Sequence, residues 1–133
     1  VPRLSRRAIL ALSLIIGLAL WLIPAGFLHQ PEPWDGNGPA YPLALLGSGL
    51  LLGFLAPGRT GTIVAGMFLG QLAVLLWRVF SSPENSELWL VGVVMLAGYT
   101  FVATGLGALI GSVLRRRIGP ELPVERRVSD RRI

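Results

Sequence analysis

Residues 88–114 read LWLVGVVMLAGYTFVATGLGALIGSVL, a run without a single charged side chain. A surface helix of a water-soluble domain shows a polar face with a period of about 3.6 residues. No such face exists in this stretch. A helix that is apolar all round is either wholly buried or surrounded by lipid. Three further stretches share the character, over residues 8–28, 41–56 and 62–80. The chain has only 133 residues, of which 53 % are hydrophobic and 14 % charged. A soluble domain carries roughly 25 % charged residues. A domain this small leaves much of its surface wet, so it cannot hide four apolar helices in a soluble core. Lipid is the remaining solvent. The expected fold class is all-α, an integral membrane four-helix bundle over residues 1–114, followed by a basic tail over 115–133.

The lengths of the segments support this. Segment one is near the ~20 residues needed to span hydrocarbon and exceeds the ~7–15 of a signal-peptide apolar region. Phe27, Leu28 and His29 follow it rather than a small-residue cleavage pair. A retained first transmembrane helix is therefore expected. Segment two is the shortest and reaches about 24 Å, less than the ~30 Å hydrocarbon core. Pro42 suits its first turn, and Pro57-Gly58 ends it. The brevity of that turn predicts that segments two and three are antiparallel neighbours. Segment four is longer than a span requires, so it tilts or projects from the bilayer. Trp34, Tyr41, Trp77, Phe80 and Trp89 fall where interfacial aromatic anchors belong.

Arginine sets the orientation. All 12 basic residues are Arg. Three precede segment one, one sits in the turn after segment two, and seven lie in the tail. The acids between helices, Glu32, Asp35, Glu84 and Glu87, fall on the opposite side. The positive-inside rule then gives an up-down-up-down topology with both termini cytoplasmic. Exclusive use of arginine fits a GC-rich bacterial gene, so the expected location is a bacterial inner membrane, multi-pass.

Small residues recur four apart: Ser13 and Gly17, Gly49 and Gly53, Gly66 and Gly70, and Ala103, Gly107 and Gly111. Such spacing clears one helix face for close approach of another backbone. The partner helix is either another segment of this chain or a second subunit. Gln71 falls mid-way along segment three, and Tyr99, Thr100 and Thr104 fall at similar depth in segment four. An amide in lipid needs a partner, so an interhelical hydrogen bond from Gln71 is expected. Arg78 is the one charge inside a predicted span. Near the helix end it can snorkel to the headgroups, or pair with Glu84 or Glu87. Arg115, Arg116 and Arg117 form a juxtamembrane cluster suited to anionic lipid headgroups.

Other chemistries find little footing. There is no cysteine, hence no disulfide or thiolate metal site. His29, Glu32 and Asp35 lack the fixed spacing of a metal site. No nucleophile motif surrounds Ser81 or Ser82, and no glycine-rich phosphate loop is present. Neither enzyme activity nor a cofactor is expected. The basic tail lacks the interleaved aromatics and folded module of a nucleic-acid binder. The expected role is that of a non-enzymatic accessory or scaffolding subunit packing against other membrane helices, as a homo-oligomer or in a larger complex. The alternative is a small transporter or channel active as a homo-oligomer.

Overall fold

The structure, a computed structural model, describes residues 4–27, 40–81 and 89–118. Among these residues every regular element is helical. Helix α1 spans Arg6–Phe27, α2 Ala40–Leu55, α3 Thr60–Ser81, and α4 Trp89–Ile118. Three of the four, α1, α3 and α4, are long and apolar enough to cross a membrane; α2 is a shorter apolar helix. The expected segments lie within a few residues of these helices. The largest difference is at the end of α4. It continues past Leu114, so Arg115, Arg116 and Arg117 occupy a helical turn rather than a tail. The residue pairs His29/Glu32 and Glu84/Glu87, together with Asp35, Trp34 and the tail beyond Ile118, lie outside the described residues.

Local chemistry explains the ends. Ser5 caps α1, its Oγ accepting from the Ala8 N–H at 3.1 Å while its carbonyl accepts from Ile9 at 3.1 Å. Pro42 sits in the first turn of α2, where a missing N–H costs nothing. Gly58 follows α2 with φ at 82°, the left-handed conformation that ends helices and favours glycine.

Two helix pairs dominate the packing, α1 with α3 and α2 with α4. In each pair the backbones touch. A methyl group added at Gly66 would meet Ser13 and Leu10, and one at Gly70 would meet Leu14. Added at Gly49 it would meet Thr104, and at Gly53, Ala108. Gly107 and Gly111 return the contact against Leu46 and Leu50. Four residues forward on one helix match four forward on the other, so both pairs are parallel. Buried positions follow the same step: Ile9, Ser13, Gly17 and Trp21 on α1; Tyr41, Leu45, Gly49 and Gly53 on α2; Ile63, Met67, Gln71 and Leu75 on α3.

On α4 the buried stripe is Gly92, Leu96, Thr100, Thr104, Ala108 and Ser112. In a regular α-helix each step of four overshoots a full turn by about 40°. Over this stripe the drift would reach about 200° and carry the ends to opposite faces. The helix avoids part of it with a π segment over Thr100–Thr104, whose wider turns wind less per residue.

Substitution of Gly53 by Ala drives a methyl into the Ala108 backbone, which cannot step aside. Overpacking of this kind costs about 1–3 kcal/mol. Gly47, on the same helix, has open space around it. Gly47→Ala is expected to be neutral or stabilising, by up to about 1 kcal/mol, because alanine is the better helix former. Unfolding of both variants in mixed detergent micelles checks the contrast.

Candidate functional site

Gln71 lies at the centre of α3, fully buried. A primary amide offers two acceptor positions and two N–H donors. Here all four are used. Its Oε1 accepts from Trp21 Nε1 at 3.2 Å and from the Tyr41 hydroxyl. Its Nε2 donates to the Met67 carbonyl at 3.1 Å and to Thr100 Oγ1 at 2.9 Å. Trp21 comes from α1, Tyr41 from α2 and Thr100 from the π segment of α4. One side chain therefore ties all four helices, and it joins the two parallel pairs to each other.

Aromatic contacts surround the amide. Tyr99 meets Tyr41 edge-on, with ring centroids 5.4 Å apart and an interplanar angle of 73°. Arg78 lays its guanidinium over the Trp21 ring, 5.3 Å from the centroid. That charge faces a π system on the neighbouring helix, an attraction that strengthens as water is excluded. Thr104 is fully buried one turn along α4, and its Oγ1 has no hydrogen-bond partner.

The structure thus brings Gln71, Thr100, Tyr99 and Tyr41 together with Trp21, and sets Arg78 behind Trp21. Gly49, Gly53, Gly107 and Gly111 lie buried between α2 and α4, and Gly66 and Gly70 between α1 and α3. Ala103 is half-buried beside the first of these contacts. At the far end, Arg115 lies over Phe54 at 5.3 Å, and Arg116 and Arg117 are exposed. Tyr41 departs from its expected place. It is not an interfacial anchor but a core residue, 6 % exposed. Trp77 and Phe80 do face outward, at 74 % and 81 % exposed.

Trp21 and Tyr41 are the partners that sequence reasoning missed. The signal was present: each continues a four-residue stripe of small or apolar residues on its own helix. An open apolar groove of about 500 Å³ runs beside the π segment, lined by Pro42, Val94, Met95, Gly98, Tyr99 and Val102 among others. Among the described residues no cluster of His, Cys, Asp or Glu gathers to hold a metal. Comparison with known protein families, curated proteins and solved structures gives no match.

Gln71→Leu removes all four of these bonds, at about 1–3 kcal/mol for each partner group that stays unpaired. Tyr41→Phe removes the hydroxyl's bond to Gln71, and a bond of this kind contributes about 0.6–2 kcal/mol in a membrane interior. The double variant is expected to lose less than the sum, by at least about 0.5 kcal/mol, because the two residues share that bond. A double-mutant cycle of unfolding free energies measures the coupling.

Proposed function

We propose that this chain is a non-catalytic scaffolding subunit of a bacterial inner membrane, packing against the helices of a larger complex. In this reading the bundle runs up-down-up-down with both termini cytoplasmic. The Arg6, Arg7, Arg59 and Arg115–Arg117 ends then share one face and meet anionic headgroups. The parallel registers of α1 with α3 and of α2 with α4 support that arrangement.

One observation carries the functional reading: the hydrogen-bonding capacity of the Gln71 amide is consumed within the chain. A conduction path or substrate site needs polar groups with valence to spare for water, ion or ligand. The chief polar group at mid-depth is instead a fastener. The glycine faces are likewise engaged internally. Bulky apolar side chains remain outward, among them Leu22, Ile23, Leu90, Val91, Val94 and Phe101. Such surfaces suit lipid and the flanks of other membrane helices.

A second reading, a small transporter or channel active as a homo-oligomer, draws on the groove beside the π segment. Interruptions of this kind recur at functional sites. Tyr99 and Ala103 contribute to its lining.

Native mass spectrometry of the detergent-extracted protein separates the two. A scaffold is expected to co-purify with a different polytopic protein and to show no solute flux when reconstituted alone. A defined homo-oligomer with measurable flux sinks that reading in favour of the second. Reporter fusions after Ile133 are expected to be active only in the cytoplasm.

A further inference from the structure

At the arginine-bearing end of the bundle, α2 and α4 finish side by side. The Gly58 N–H points to Ser112 Oγ at 3.4 Å, and Ser112 in turn donates to the Ala108 carbonyl at 2.8 Å. This pins the turn after α2 against the last turns of α4. Arg116 reaches back over the turn, its Nη2 lying 3.7 Å from the place a Gly58 Cβ would occupy. Arg59 is the next residue. Its side chain is half-buried, and its Nη1 atom is buried with no hydrogen-bond partner.

A buried guanidinium N–H without an acceptor is a costly arrangement. No Asp or Glu occurs among the described residues, so none of them offers a carboxylate. Arg59 also precedes α3 at the position where a side-chain acceptor normally caps the first N–H groups, and it has none to offer. The first N–H groups of a helix and the positive end of its dipole favour an anion at this place. The space beside Gly61 is open. Guanidinium groups match phosphate oxygens in a bidentate fork.

We propose that the turn between α2 and α3, together with the last turn of α4, seats the phosphate of one anionic lipid headgroup, with Arg59 and Arg116 as its guanidinium donors. The position favours a lipid as the source. The outward residues leading to this end, Leu51 and Leu55 on α2 and Val113 and Leu114 on α4, are apolar and exposed, so acyl chains lie directly beside the seat. The inference rests on the membrane reading above and goes beyond general attraction to the arginine cluster. Diffuse attraction is worth the same for each arginine, about a fivefold change in affinity per charge near the surface. A seat makes two of them stand out.

The test uses the full chain in neutral detergent, titrated with phosphatidylglycerol or phosphatidylcholine and observed by native mass spectrometry. Wild type is expected to hold one phosphatidylglycerol more firmly than any phosphatidylcholine. Arg59→Gln and Arg116→Gln are each expected to weaken that lipid roughly tenfold or more, the loss of a charged hydrogen-bonded contact. Arg7→Gln and Arg117→Gln, both exposed at the same end of the bundle, should show only the diffuse change. Exposed Arg116 guards against misreading a folding defect in Arg59→Gln, and detergent melting is run on each variant. Equal weakening by all four substitutions overturns the seat, and so does inorganic phosphate at millimolar concentration displacing the lipid, since the site would then belong to the free ion. Recovery of the wild-type chain in the soluble fraction of cells would instead overturn the membrane reading itself.

Discussion

Direct contact between helix backbones is the constraint on which this structure depends. Lipid provides little hydrophobic drive for one apolar helix to choose another, so association relies on close packing and hydrogen bonds. Glycine every fourth residue supplies the first. Gly66 and Gly70 admit the α1 backbone, and Gly49, Gly53, Gly107 and Gly111 bring α2 and α4 together from both sides. Each pair is tight within itself, but close packing alone says nothing about how the two pairs are held to each other.

That second task falls to Gln71. Its amide reaches α1, α2 and α4 from α3, through Trp21, Tyr41 and Thr100. Away from water an unpaired amide is expensive, so the arrangement that satisfies all four of its valences is strongly selected over near neighbours. The π segment belongs to the same solution. By slowing the winding of α4 it helps keep Thr100 facing the amide while Ala108 and Ser112, further along, still face α2. A polar contact at the centre and a glycine contact near the end are thereby reconciled on one helix.

Much of this was legible in the sequence. Charge-free runs located the helices, because a bilayer leaves few alternatives to an apolar helix. Four-residue spacing of Gly and Ala marked the contact faces, and Gln71 declared its need for a partner. The identity of the partners was less accessible. Tyr41 adjoins Pro42 at a helix start, where an interfacial role is the common one; its burial depends on α2 being short enough to bring that start down beside Gln71. The π segment left no composition signal, since it arises from a conflict between the stripe on α4 and regular helical pitch. Which helix each glycine face would meet was open too, because spacing specifies a face and not its occupant.

The pairing of first with third and second with fourth helix has a consequence for biogenesis. Neither half of the chain contains a complete close-packed pair. As the polypeptide leaves the ribosome, α1 and α2 must enter the membrane with their glycine faces still unengaged, exposed to lipid or shielded by the insertion machinery. α1 meets its mate when α3 enters, and α2 only when α4 follows. Close packing of the bundle is thus completed by the helix that is made last.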